Sequence, residues 1–312
     1  MRKALSMNLQ IKNETSTLKA VVLGQPGSIG KVPEPSNTYD AKSHESVIKG
    51  QYPTEENIYR EMSAFEKVLL KYDVQVFRPW TLENCNQVFA RDVGFVIDDK
   101  IINSNIIPDR EDEKEAYEVI YDQISFNKIY NLPEKAHVEG GDVVLYNDIV
   151  FVGLYTGPDY SQFKTARTNL YAFNFLRELF PDKTFVPLEL VKHDTDPYQG
   201  ILHLDCCFMP VNRNKAILYR EGFRWEKDYR MLVDLFGREN IFEITRDEMY
   251  DMNCNVFSLS HDVVVSEQHF NRLNQHLEEQ WGLTVERIPY AEISKMGGLL
   301  RCSTLPLVRL ND

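Results

Sequence analysis

A chain of 312 residues, 43% apolar and 26% charged, has the composition of a soluble globular protein and is long enough for one large domain or two ordinary ones. Its formal net charge of -12 argues against nucleic acid and anionic membrane surfaces as partners, since both call for a basic face. No apolar run reaches the length of a membrane span, and no signal-peptide h-region follows the basic start MRKALSMNLQ, so a cytoplasmic location is expected.

The first strand signal is LKAVVLGQP, from Leu18. A polar loop from Gly27 to Tyr52 carries Pro33 and Pro35 and has the composition of a mobile flap. A helix over roughly Glu55 to Lys71 and the strand VQVFRPW follow.

Four similar units come next, each an apolar strand, a polar turn, a second apolar strand, a helix and an isolated strand. The hairpins are QVFARDVGFVI/IINSNII, HVEGGDVVLY/IVFVGLY, ILHLDCCFMPV/KAILYREGF and MNCNVFSL/VVVSEQ. Their turns lie at Asp98-Asp99-Lys100, Asn147-Asp148, Asn212-Arg213-Asn214 and Ser260-His261-Asp262, and Asn/Asp turns between β-rich runs are hairpin signals. Helices are expected over Asp112 to Gln123, Gln162 to Phe180, Lys227 to Phe236 and Glu267 to Trp281, with strands at KIYNL, TFVPL, IFEIT and TVERIPY. A fifth, permuted unit joins the Leu18 strand to GGLLRCSTLPLVRL at the other end. No linker or low-complexity tract interrupts the chain, so residues 1–312 are expected to form one repeat domain.

Five cysteines (Cys85, Cys206, Cys207, Cys254, Cys302) are an odd set without framework spacing, and reduced thiols are the simpler reading. Cys302 stands apart, because Gly297-Gly298 precede it closely and Arg301 adjoins it. Glycines admit close approach to the backbone, and a neighbouring cation favours thiolate, the nucleophilic form. The other cysteines read as small core residues, and the histidines other than His203 as surface or turn residues.

Polar residues recur at one place in successive repeats, on the first hairpin strand: Asp92 in FARD, Glu139 and Asp142 in HVEGGD, His203 and Asp205 in HLD. A closed repeat fold would bring Asp92, Glu139, His203, Asp205 and Cys302 together, and buried carboxylates would then need a cationic partner. His203, Asp205 and Cys206 lack a metal-ligand spacing, and Gly140-Gly141 lacks the helix of a phosphate cradle, so neither metal nor cofactor is expected. The acidic stretch Arg110 to Glu118 reads as a solvated face.

FARD, HVEGGD, ARTN (Ala166 to Asn169), HLD and GGLLRC, in this order, resemble the guanidino-group-modifying superfamily of arginine deiminases, dimethylarginine dimethylaminohydrolases, agmatine deiminases and arginine:glycine amidinotransferases. The resemblance runs from about Leu18 to Arg309 and implies a five-bladed α/β propeller of ββαβ units. It implies that Cys302 attacks a guanidinium carbon, that His203 acts as acid and then base, and that Glu139 supports His203. It further implies that Asp92 and Asp205 grip the guanidinium nitrogens and that Arg167 holds a substrate carboxylate. Phe89 and Asp142 join the substrate contacts, Asp142 with the alternatives of capping a turn or pairing with Arg167.

The chemistry is coherent. Carboxylates bind a planar guanidinium bidentately, and so poor an electrophile calls for a thiolate. Glu139-Gly-Gly-Asp and Arg301-Cys302 resemble the deiminase side more than the amidinotransferases, and Asp205 departs from the dimethylarginine hydrolases. Hydrolysis of an arginine-like guanidine to a ureido product is therefore expected, with amidino transfer to an amine and dimethylarginine-type hydrolysis as the alternatives. The partner is a small cationic guanidine, and a homodimer is one admissible state.

Overall fold

In the computed structural model, which describes residues 7–310, fifteen strands pair into five three-stranded sheets. The basic start of the chain lies outside the described residues. Strands β1 (Leu18–Leu23) and β2 (Gln75–Phe77) precede three hairpins with their following strands: β3 (Gly94–Ile97), β4 (Lys100–Asn103) and β5 (Ile129–Asn131); β6 (Val143–Tyr146), β7 (Ile149–Leu154) and β8 (Thr184–Glu189); β9 (Phe208–Val211), β10 (Lys215–Leu218) and β11 (Ile241–Glu243). The last strands are β12 (Phe257–Ser260), β13 (Val263–Glu267), β14 (Thr284–Ile288) and β15 (Thr304–Arg309).

Every sheet has one plan. Its central strand pairs antiparallel with a hairpin partner and parallel with a third strand. In four sheets the hairpin is contiguous; in the fifth, β1 pairs with β15, so the two ends of the chain complete one unit, as the permuted repeat implies. Asp98, Asn147 and Asn212 sit at φ of 52°, 55° and 55°, the left-handed conformation that Asp and Asn tolerate in tight turns.

The helix predictions hold to different degrees. Glu55–Lys71 matches, capped at its start by Thr54, and Glu226–Phe236 lies one residue from its predicted start. The second repeat's helix begins at Leu170 instead of Gln162, because Asn169 caps it by accepting from Ala172 N–H at 2.9 Å. The last repeat helix is shortened to Asn271–Glu279, since Glu267 belongs to β13. The predicted Asp112–Gln123 helix is a 3-10 helix over Pro108–Tyr117 followed by one α-turn. Three residues per turn place Arg110, Glu113 and Ala116 on one buried face, which corrects the reading of this stretch as wholly solvated.

Apolar side chains form two buried clusters, one around Phe65, Phe151, Phe208, Phe257 and Tyr290, the other around Phe95, Ile101, Val143, Val150 and Phe173. Cys206, Cys207 and Cys254 lie in the first, as expected of core cysteines, whereas Cys85 is half-buried beside a surface cavity. His261 is a turn residue but buried, 3.1 Å from the Thr15 hydroxyl. Among the described residues no helix is long and apolar enough to cross a membrane.

Phe65 packs edge-on against Phe257 and Tyr290, with ring centroids 5.7 Å apart in both pairs. Phe65→Ala should therefore lower the unfolding free energy by about 3–5 kcal/mol, read by chemical denaturation.

Candidate active site

The predicted polar residues do not lie on strands. Asp92 sits in the helical turn Ala90–Val93, Asp142 ends the 3-10 turn Gly140–Asp142, which follows Glu139, and Asp205 lies in the turn Leu204–Cys206, which follows His203. Each turn leads into the first strand of its hairpin, so the repeat equivalence holds although the element is different. A turn also brings neighbours together where a strand would separate them: Cys206 Sγ lies 3.6 Å from Asp205 Oδ1.

Glycines set the spacing. An added Cβ on Gly141 would lie 2.6 Å from His203 Nδ1, so the imidazole packs directly on that backbone. Gly297 has φ +85°, and a Cβ there would lie 2.3 Å from Asp40 Oδ1 of the Gly27–Tyr52 loop.

Asp92, Glu139, His203, Asp205 and Cys302 are all buried. Glu139 Oε2 is 2.8 Å from His203 Nε2 and 2.8 Å from Arg167 Nη1. With an ionised carboxylate as acceptor, Nε2 carries the hydrogen and Nδ1 is the free ring nitrogen. Nδ1 lies 3.6 Å from Asp92 Oδ1, and neither atom makes a hydrogen bond. The other Asp92 oxygen accepts from Arg110 Nη1 at 2.6 Å, while Arg110 also binds Glu113 at 2.6 and 2.8 Å. Cys302 Sγ lies 3.7 and 4.0 Å from the two oxygens of Asp205, and Asp205 Oδ2 accepts from Arg301 Nη1 at 2.9 Å.

Asp92, Glu139 and His203 offer three ligand atoms within 4.8 Å of one another, the one such cluster among the described residues. Arg110 and Arg167 already place guanidinium cations on its two carboxylates, so a metal ion would have to displace them. Of the four oxygens of these two carboxylates, only Asp92 Oδ1 is left without a hydrogen bond.

The family model described as "N,N dimethylarginine dimethylhydrolase, eukaryotic" matches residues 32–309. The chain belongs to this family. It is 31% identical over 226 residues, 72% of this chain and 70% of the relative, to the uncharacterized protein YkgA of Bacillus subtilis (strain 168). Three solved structures share the fold. The substrate-bound N-terminal domain of ArgZ, an arginine dihydrolase from the ornithine-ammonia cycle in cyanobacteria, is 18% identical, with a TM-score of 0.75 over 93% of this chain and 98% of that one. SxtG, an amidinotransferase of Microseira wollei, is 16% identical, with a TM-score of 0.75 over 97% and 98%. The inosamine-phosphate amidinotransferase StrB1 of Streptomyces griseus is 14% identical, with a TM-score of 0.75 over 97% of each chain. The protein is thus a member of the guanidino-group-modifying superfamily, whose mixed α/β fold it has.

For this family member, three expectations need correction. Asp142 neither pairs with Arg167 nor faces an open site: Thr168 Oγ1 donates to one oxygen at 2.6 Å and Leu204 N–H to the other at 2.9 Å. Arg167 is turned inward, donating to Glu139, to the Lys164 carbonyl and to the Tyr39 carbonyl of the loop. Arg301 does not face the thiol; it donates to Glu14, Asp205 and the Val143 carbonyl. Phe89 lies against Gly298, where an added Cβ would be 2.3 Å from its ring.

Sequence reasoning missed Glu14, Arg110, Glu113 and Asn255. Asn255 occupies the matching place in the fourth repeat, MNCNVFSL, and that register was the available signal. Arg110 also lines a cavity of about 600 Å³ with Lys31, Tyr39, Tyr52 and Glu113. Cys302 and His203 do not line it, and Tyr39 lies with its ring centroid 5.8 Å from the guanidinium carbons of both Arg110 and Arg167.

Burial pushes the Cys302 thiol well up, and the Asp205 and Asp92 carboxylates add to this, outweighing Arg301. Burial works to lower the pKa of His203, but Asp92, the Glu139 hydrogen bond and Asp142 together raise it. For Glu14, burial opposes ionisation, yet Arg301 and then Arg91 bring it from 4.5 down to about 2. A depressed carboxylate stabilises the fold above its unfolded pKa and stops doing so as pH falls through its folded value. Glu14→Ala should cost about 3–5 kcal/mol near neutrality, because it takes one of two carboxylate partners from the buried Arg301. The stability gap between parent and variant should shrink as pH falls from 4.5 toward about 2, read by denaturation at a series of pH values.

Proposed function

We propose that this protein is a hydrolase of arginine-like guanidines that works through a covalent amidino intermediate on Cys302. The observation that carries this reading is the pair Asp92 Oδ1 and His203 Nδ1, buried, 3.6 Å apart and without hydrogen bonds. A buried carboxylate oxygen that accepts no hydrogen bond, faced by an imidazole too far away to donate one, is costly, and a guanidinium N–H would complete it. The match to the dimethylarginine dimethylhydrolase family supports the same chemistry. The five like-patterned sheets support a five-bladed α/β propeller, and the joining of both chain ends in one sheet supports a single catalytic domain.

The residues divide the work as follows. A cation bound at Asp92 lowers the cost of ionising the Cys302 thiol, whose proton passes to solvent. The thiolate forms a C–S bond to the guanidinium carbon, and protonated His203 passes the Nδ1 proton to the departing nitrogen as the C–N bond breaks. Ammonia or an amine leaves a thiouronium on Cys302. Water then attacks the same carbon, His203 Nδ1 takes one of its protons, and the C–S bond breaks to release a ureido product. The second water proton passes to solvent, where the ammonia or amine released earlier takes it up as an ammonium ion. Glu139 holds the imidazole through Nε2 and stabilises its charged form.

A methylated guanidine is the second reading. Asp205 Oδ2 is held by Arg301, so the grip on both terminal nitrogens that an unsubstituted guanidinium invites is incomplete here. Arginine and Nω,Nω-dimethylarginine should be supplied separately, with ammonia, dimethylamine and citrulline measured. Product that forms only when glycine or another amine is added would replace hydrolysis with amidino transfer.

Cys302→Ser should lose more than about a thousandfold in turnover and show no thiouronium adduct by mass spectrometry; full turnover would sink the mechanism. His203 must be protonated for the first step, and its pKa is raised. The rate should therefore persist above the ordinary imidazole range and fall as pH rises through the elevated value, a limb measurable in a pH profile of kcat/KM, which reports the free enzyme.

A further inference from the structure

We propose that Asn255 is a catalytic residue that donates a side-chain N–H to Cys302 Sγ and steadies the sulfur as a thiolate in both half-reactions. The inference rests on Cys302 being the nucleophile, as proposed above.

Asn255 is fully buried and binds Cys302 twice. Its Oδ1 accepts from the Cys302 backbone N–H at 3.1 Å, and its Nδ2 lies 3.2 Å from Sγ. The first bond settles the amide's orientation. A backbone N–H can only donate, so Oδ1 must face it and the NH2 group must face the sulfur. The same residue is held from both sides, with Nδ2 also 3.4 Å from the Asp205 carbonyl and the Arg301 N–H 3.4 Å from the Asn255 carbonyl.

The need for such a donor follows from the surroundings. The other polar side chain on the sulfur is Asp205, an acceptor, to which the resting thiol can donate. Arg301 adjoins Cys302 in sequence but spends its donors on Glu14, Asp205 and Val143. Once the thiol proton leaves, Asp205 offers the sulfur nothing favourable, and the Asn255 N–H becomes a charge-assisted donor. The sulfur carries negative charge twice, before it attacks the guanidinium carbon and again when water expels it. One donor at a fixed site serves both moments without rearrangement.

The test reads the thiol without any guanidine. Parent protein, Asn255→Asp, Asn255→Ala and Asn255→Ser are alkylated with iodoacetamide over a series of alkaline pH values. The Cys302 peptide is quantified by mass spectrometry, and circular dichroism reports the fold. The midpoint of Cys302 labelling is compared, because opening of the site changes absolute rates but not the midpoint. Asn255→Asp keeps an acceptor for the Cys302 N–H and loses the donor, so its midpoint should rise by about one pH unit or more. Asn255→Ala should rise as well, and Asn255→Ser, whose hydroxyl can donate, should rise least. An unchanged or lowered midpoint in folded Asp and Ala variants would overturn the proposal, and the Ala and Ser variants decide it if the Asp variant does not fold. Unchanged labelling with an intact thiouronium adduct removes Asn255 alone. A shifted midpoint without any adduct leaves Asn255 its role and removes the guanidine reading.

Discussion

The centre of this structure depends on pairing carboxylates that have been taken out of water. An isolated buried carboxylate is prohibitively costly, and removing one partner from a buried pair costs more than most single contacts supply. Arg301 answers that constraint for Glu14 and Asp205, Arg110 for Asp92 and Glu113, and Arg167 for Glu139. The Arg301 ties run between repeats. Arg301 precedes the final strand, Glu14 lies ahead of the first, and Asp205 belongs to the third hairpin unit. Arginine suits the task because its fork of donors can serve two carboxylates at once, which lysine cannot do in fixed geometry.

Saturating those carboxylates also shapes what remains. With three arginines in place, Asp92 Oδ1 is the one buried carboxylate oxygen without a hydrogen bond among the described residues. The free nitrogen of His203 faces it, fixed there by Glu139 on the other side of the ring and by Gly141 beneath. The pairing network therefore does more than hold the chain together. It leaves two facing atoms without hydrogen bonds, one an acceptor and the other able to hold or release a proton.

Much of this was legible in the sequence, for a physical reason. The five-unit pattern survives because each hairpin needs its β-rich runs and each tight turn its Asp or Asn, and Asp98, Asn147 and Asn212 adopt the conformation those residues are chosen for. The repeat register also brings Asp92, Glu139 and His203 into one cluster and sets Asp205 beside Cys302. What the register did not carry was the direction in which cations point. Arg301 was read by adjacency as a partner for the thiol, but neighbours along a chain need not share a face, and its guanidinium turns toward Glu14. Arg110 was hidden in a run of acids, because nothing local announces a 3-10 helix with every third residue buried. Asn255 escaped because it carries no charge, so its place in the fourth repeat drew no attention until its partner was known.

The loop over the site obeys the same electrostatics. Tyr39 gives its carbonyl to Arg167 and sets its ring against both Arg167 and Arg110, while Asp40 caps the helix Ala41–Ile48 and lies on Gly297. Each of these contacts is made to a residue that also orders the centre, or to the glycines just before Cys302. Lifting the loop would leave one Arg167 donor unsatisfied and uncover the backbone of Gly297, so closure and the charge network are coupled through shared atoms.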